Sequence, residues 1–200
     1  MCRGITPTLF IKMKKHSFQS SYYVIPIKTH SEIKNRFLDL IDESGSKKLK
    51  TSQEQISKSD WEPKNDDRKY IPFFYEIIKP YMNAVMNDMH AKSWYIYKAW
   101  FQQYLKNDYH GWHNHAGSQW AGVYFLELPD TKLQTKLFDQ TNKKFIENIE
   151  ITEGSVLLFP SYLTHKSMPN KTGKRKTIIS FNCCFWDYDD NQFEEFIKNV

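Results

Sequence analysis

Three of the seven histidines fall within six residues, in His110-Gly-Trp-His113-Asn-His115. On a strand, positions i and i+2 point to the same face, so His113 and His115 can reach one metal ion from a strand end. A third histidine, His165, stands 52 residues beyond His113, just after the apolar run Val156 to Phe159. Two ligands close in sequence and one distant is the layout of a facial triad on a β scaffold, which leaves coordination positions open for other ligands. Arg175 lies ten residues past His165, and Thr177 two further on. An arginine grips a carboxylate through a two-pronged, charge-assisted pair, and a hydroxyl at i+2 adds a hydrogen bond. A dicarboxylate chelating the metal at one end can be anchored there at its other end. Each piece alone is weak, because a lone histidine is more often structural than a ligand. Their order and spacing together carry the reading.

The elements that must position these residues follow from periodicity. Tyr22 to Ile27 reads as a short strand, with Pro26 marking an edge position. A helix follows, capped by Thr29 or Ser31, with Ile33, Phe37, Leu40 and Ile41 on one face. Ser44 to Lys69 is almost purely polar, relieved by Trp61 and Pro63, and reads as a long surface loop or a lid. Ile71 to Met89 reads as a second helix that Pro80 kinks or splits. From Ser93 the pattern turns aromatic and β-prone. Trp94 to Tyr97 and Trp100 to Leu105 are β-prone, and strands are then expected at Trp120 to Leu126, Lys136 to Phe138, Phe145 to Ile151, Ser155 to Phe159 and Thr177 to Phe185. Turn signals such as Pro129-Asp130 and Thr172-Gly173 separate them. Phe193, Phe196, Ile197 and Val200 mark a short amphipathic helix at the tail. Helices first and about eight short strands after them suggest a mainly β fold, a sandwich or jelly roll with the helices packed on one sheet.

The 200 residues suffice for one domain. We divide them into a helical support region with a polar loop, residues 1–92, and a jelly-roll core, residues 93–186. An aromatic content of 16% argues for a packed interior over disorder. The net charge of +5 keeps an anionic small molecule or a nucleic acid open as a partner and selects neither. A second copy of the chain, as a homodimer, is equally open. Cys2, Cys183 and Cys184 form no disulfide framework, which points to a reducing compartment. There is no apolar run long enough for a membrane span, and Lys12, Lys14 and Lys15 are not followed by a signal-type apolar stretch. Met1 to Met13 reads as an irregular leader, and the protein as cytoplasmic.

HxH, a distal histidine and then Arg-x-Thr resembles the 2-oxoglutarate/iron(II) dioxygenase superfamily, whose pattern is HxD or HxE, distal His, then Arg-x-Ser. More narrowly, HNHAGSQWAGVYFLELP, EGSVLLFPSYLTHKSMPN and RKTIISFN are similar to a family of such oxygenases common in marine bacteria and their phages. The resemblance covers roughly Tyr95 to Phe185. It implies a double-stranded β-helix, a cupin-like jelly roll. It implies Fe(II) on His113 and His165, and 2-oxoglutarate with its distal carboxylate on Arg175 and Thr177. Molecular oxygen would be consumed, and an unidentified substrate hydroxylated with release of succinate and CO2. Tyr104, nine residues before His113, matches a co-substrate tyrosine of prolyl-hydroxylase-like members and equally suits the core.

This chain departs from the superfamily pattern where it has His115 in the place of the carboxylate that most members carry. His115 can complete a three-histidine site, since neutral imidazole binds iron(II) well. A carboxylate from elsewhere, Asp139 being the nearest candidate, is the second reading, and an open position is the third. Asn182 falls on the strand face opposite Arg175 and Thr177, so a structural role is expected. Gly122 allows close backbone approach. Trp112 and Trp120 can wall the pocket or pack the core, and His110 can orient a ligand. Three rival functions stand beside the main one. The first is a three-histidine iron dioxygenase that uses no 2-oxoglutarate. The second is a non-catalytic jelly-roll binding module. The third, a nucleobase demethylase, is disfavoured because Phe181 stands where that branch carries a second arginine.

Overall fold

A computed structural model of the chain describes Lys15, residues 18–61 and residues 68–188. The expected leader at Met1 to Met13 and the tail helix at Phe193 to Val200 lie outside the described residues, as does Pro63.

The order of elements is β1 (Tyr23–Pro26), α1 (His30–Asp42), β2 (Lys47–Lys50), β3 (Glu54–Ser59), α2 (Tyr70–Asp88) and β4 (Ala91–Tyr104). There follow β5 (Tyr109–His113), β6 (Trp120–Glu127), β7 (Thr135–Asp139), β8 (Lys144–Ile146), β9 (Ser155–Pro160), β10 (Thr164–Ser167) and β11 (Lys176–Tyr188). The strands form one curled antiparallel sheet in the order β1-β9-β6-β11-β4-β3-β5-β10-β7-β8, with β2 paired to β3. Its two halves fold over each other around an apolar layer that includes Val123, Phe125, Leu157, Phe159 and Ile178. The other face of the first half is covered by the helices, through Phe37 and Ile41 of α1 and Phe74, Ile78 and Met82 of α2. Strand alternation sends odd residues of β11, such as Ile179 and Phe181, to the helices, while Ile178 joins the layer between the halves.

Gly122 is needed where β6 crosses β11. A Cβ there would stand 2.0 Å from the Phe181 ring, so no side chain fits without displacing a buried aromatic.

Several local expectations are revised. Thr29 takes the N-cap position of α1 but makes no side-chain capping bond. The polar stretch from Ser44 is a β-hairpin, not a loop: β3 pairs with both β4 and β5, and Ile56 is fully buried. Helix α2 runs unbroken through Pro80, which lies on its exposed side. The strand expected at Phe145 to Ile151 stops at Ile146, and Asn148 takes a positive φ of 58°. The short strand β10 was not expected. Two strands from the N-terminal part of the chain, β1 and β3, are integral to the sheet.

Candidate metal centre

His113 ends β5 and His165 lies in β10, and the two are direct partners across the strand pair. His115 lies two residues past the end of β5, where its backbone N–H is bound by Ser161 O at 3.2 Å. The three imidazoles come together tilted by 31–55° against one another, with ring centroids 4.2–5.4 Å apart. One nitrogen from each lies within 4.8 Å of the others, and no Asp, Glu or Cys of the described residues joins them.

Hydrogen bonds define which nitrogens converge. His113 Nδ1–H donates to Gly111 O at 2.9 Å, and His165 Nδ1–H donates to Leu163 O at 3.2 Å. His115 Nδ1–H donates to Asn182 Oδ1 at 2.6 Å. A carbonyl oxygen can only accept, so each ring keeps its Nε2 lone pair for a metal. Burial lowers the pKa of all three, that of His113 to about 4; the neighbouring imidazoles add to this at His113 and His165, and the charge of Lys98 adds to it at His115. The rings are therefore neutral at physiological pH, as metal ligation requires. His110 stacks on His113 at 3.8 Å and turns its Nε2 to Glu54, 3.3 Å away. Burial pushes His110 down to about 3.

Asp139 takes no part in this cluster. Its carboxylate accepts from the backbone N–H groups of Thr141 and Asn142 at 2.9 and 3.0 Å and from Asn142 Nδ2 at 2.8 Å, which closes the β7–β8 turn.

Arg175 and Thr177 are also elsewhere. Arg175 grips Glu127 with two bonds, Nε to Oε2 at 2.7 Å and a terminal nitrogen to Oε1 at 3.1 Å, and Thr177 Oγ1 donates to the same carboxylate. Their strand face points away from the histidines. The residue of β11 that turns inward is the one between them, Lys176, which is fully buried. Its Nζ donates to Leu133 O at 2.7 Å and to Ser167 Oγ at 2.8 Å, and lies 5.0 Å from the centre of the Tyr104 ring. It has no carboxylate partner among the described residues, and burial brings its pKa down to about 7. Tyr104 is buried beside it, with its hydroxyl toward Ser167 and its pKa raised. Sequence reasoning missed Lys176, although strand alternation holds the signal: Lys176 shares the parity of Asn182, whose side chain holds His115.

Tyr104, Thr135, Ser167 and Ile178 line a narrow inner pocket that reaches the three histidines. In front of the histidines it meets an open mouth of about 360 Å³, walled by Leu49, Trp61, Trp100, Gln102 and Asn114. Trp61 packs edge-on against Trp100 at 4.3 Å, and Trp100 stacks on His115 at 5.7 Å. Trp61 is held because the neighbouring Asp60 is buried, accepting from Phe101 N–H at 2.8 Å and Tyr70 O–H at 2.6 Å. The aromatic walls are thus Trp61 and Trp100. Trp112 lies outside with Phe138 and Phe145, and Trp120 packs on Tyr23 and Phe185.

Residues 98–182 match the family described as putative 2OG-Fe(II) oxygenase. No curated protein matches the sequence. Among solved structures, the chain is similar to an oxidoreductase of the 2OG-Fe(II) oxygenase family from Burkholderia pseudomallei. The identity is 10%, the coverage 81% of this chain and 84% of that one, and the TM-score 0.62. It is also similar to the viral collagen prolyl hydroxylase of Paramecium Bursaria Chlorella virus-1 in its 2OG complex, with 13% identity, 81% and 94% coverage and a TM-score of 0.55. A prolyl hydroxylase from Trichoplax adhaerens, in complex with a hypoxia inducible factor peptide, shares 14% identity over 86% of this chain and 84% of that chain, with a TM-score of 0.57. At such identities the likeness is one of fold, the double-stranded β-helix. Residues 98–182, the segment that holds all three histidines, therefore carry the sequence signature of the 2-oxoglutarate/iron(II) oxygenases on the fold those enzymes share.

Proposed function

We propose that the protein is a 2-oxoglutarate- and iron(II)-dependent oxygenase that hydroxylates a substrate entering between Trp61 and Trp100. One observation carries this reading. Three converging imidazole nitrogens line a pocket that also includes Ser167, and Ser167 accepts from the buried Lys176, which has no carboxylate partner among the described residues. Both halves fit what they would bind. Three neutral imidazoles with free Nε2 lone pairs suit iron(II). An unpaired buried ammonium is costly, and a carboxylate brought by a ligand relieves that cost.

His113, His115 and His165 would hold the metal. Lys176, with the hydroxyls of Ser167 and Tyr104 beside it, would take the far carboxylate of 2-oxoglutarate in place of Arg175 and Thr177. Iron with 2-oxoglutarate, when bound, supplies oxygen activation coupled to decarboxylation, yielding succinate, CO2 and a hydroxylated product. The chain's own part is positioning and shielding. The carbonyls of Gly111 and Leu163 and the amide of Asn182 orient the imidazoles. His110 covers the outer face of His113, and Trp100 covers His115. Lys176 carries its proton at Nζ when it faces the carboxylate. Arg175 and Thr177, through Glu127, lock the start of β11 to β6. The free cysteines Cys183 and Cys184 suit a reducing cytoplasm.

The test is succinate formation by the anaerobically iron-loaded protein after 2-oxoglutarate and oxygen are added. Succinate made by wild type and lost in His165→Ala is expected. Because similar structures include prolyl hydroxylases, a prolyl peptide is the first substrate to assay. Iron binding and oxygen uptake without succinate would favour a three-histidine dioxygenase that needs no 2-oxoglutarate. Absence of iron binding would favour a binding module.

A further inference from the structure

Two of the three imidazoles are oriented by their own backbone. His113 and His165 each donate Nδ1–H to the carbonyl two residues upstream, Gly111 O and Leu163 O. This local pattern comes with the strand and does not depend on any side chain. His115 is different. It lies beyond the end of β5, and its Nδ1–H donates to a side chain 67 residues away, Asn182 Oδ1 on β11, at 2.6 Å. Asn182 is 7% exposed and stands where β11 slips register against β4, between Asn182 and Cys183. The slip falls at the position from which the amide meets His115. The other hold on the ring is the face of Trp100, and stacking at 5.7 Å fixes the plane of the ring but not its tautomer.

We propose that Asn182 is the positioning residue that makes His115 a metal ligand. Its Oδ1 selects the tautomer with the proton on Nδ1 and aims Nε2 at the point where the nitrogens of His113 and His165 converge. The inference rests on the metal-site reading above. It accounts for how this chain places an imidazole at a position where the superfamily pattern has a carboxylate. A carboxylate offers an oxygen to the metal in any rotation about its terminal bond. An imidazole offers one nitrogen, and only in one tautomer, so it needs a partner to set it.

The test is anaerobic titration of the apo protein with cobalt(II) by calorimetry, using wild type, Asn182→Ala, Asn182→Asp and His115→Ala, with a thermal melt of each. Wild type is expected to bind one ion. Asn182→Ala is expected to bind it about 10- to 100-fold more weakly. Asn182→Asp, which keeps an acceptor facing Nδ1–H, is expected to stay within a few-fold of wild type or to bind more tightly. In the His115→Ala background, Asn182→Ala should cost nothing further. A merely structural asparagine would not give that last result. If Asn182→Ala does not fold, Asn182→Gln, whose acceptor is displaced by one methylene, carries the same expectation. Unchanged affinity in Asn182→Ala, or an equal loss with and without His115, overturns the role of Asn182 and leaves the metal site standing. No cobalt binding by wild type overturns both.

Discussion

Replacing Lys176 by methionine separates the two candidate carboxylate anchors. The fall of its pKa from 10.5 to about 7 through burial corresponds to a penalty on the buried ammonium of about 5 kcal/mol. Below about pH 7 the folded protein carries that charge. Between about 7 and 10.5 the folded lysine is neutral while the unfolded one is protonated, so the unfolded state binds more protons and stability rises with pH. Lys176→Met should therefore be more stable than wild type near neutral pH, by about 1–4 kcal/mol as for other buried charges replaced by apolar groups. The advantage should shrink toward pH 10.5. Binding of 2-oxoglutarate reverses the balance, because a carboxylate against Nζ restores the proton. At pH 8 wild type should take up close to one proton on binding, and at pH 6 almost none. Calorimetry of the manganese-loaded protein in buffers of different ionisation enthalpy reads both the uptake and the affinity. In Lys176→Met the pH-dependent uptake should vanish, and affinity should fall by about 2–5 kcal/mol, about 30-fold to several thousand-fold. Arg175→Met, which breaks the pair with Glu127 on the opposite face, should leave affinity within a few-fold and lower the melting temperature. Undiminished affinity in Lys176→Met, or a large loss confined to Arg175→Met, would refute this assignment of the pocket.

The histidine pKa values give a second pH dependence. Metal affinity should be nearly flat from pH 8 to about 5.5, because protons compete only as the pH approaches the lowered folded values, about 4 for His113; a solvent-like fall beginning at pH 6.5 in a cobalt titration would contradict this. The apo protein should lose stability as pH falls from 6.5 toward 4, since the unfolded histidines gain protons first, and a pH series of melting curves checks it. Gly122→Ala drives a Cβ into the Phe181 ring and should cost about 1–3 kcal/mol in a denaturant melt, much of it recovered by adding Phe181→Leu. Asp139→Asn, at a turn remote from the histidines, should leave cobalt affinity unchanged in the same titration.

Much of the site was legible because its residues obey short rules. The HxH spacing and the distal histidine brought His113, His115 and His165 together as expected. Their meeting depends on the cross-strand register of His165 with His113, which no local pattern reveals. The anchor we propose, Lys176, stands one residue from the expected Arg175. On a strand one residue is the difference between opposite faces, and the two-pronged fit of an arginine to a carboxylate pointed to Arg175 without Lys176 being weighed. The polar residues from Ser44 hid the β2–β3 hairpin. Short half-exposed strands rich in lysine show little apolar alternation, and in β3 Ile56 is the only hydrophobic residue to enter the core. Strand β10, Thr-His-Lys-Ser, was hidden for the same reason: its pairing is set by β5 and β7, with no hydrophobic residue of its own. Expected strand lengths failed where a single backbone state decides, as at Asn148.

The most direct measurement is an anaerobic crystal structure of the protein with iron(II) and 2-oxoglutarate. The expected result is one metal ion bound through the Nε2 atoms of His113, His115 and His165, with the far carboxylate of 2-oxoglutarate on Lys176 Nζ. A metal bound by a carboxylate in place of His115, or a 2-oxoglutarate carboxylate on Arg175 with the Glu127 pair broken, would contradict it.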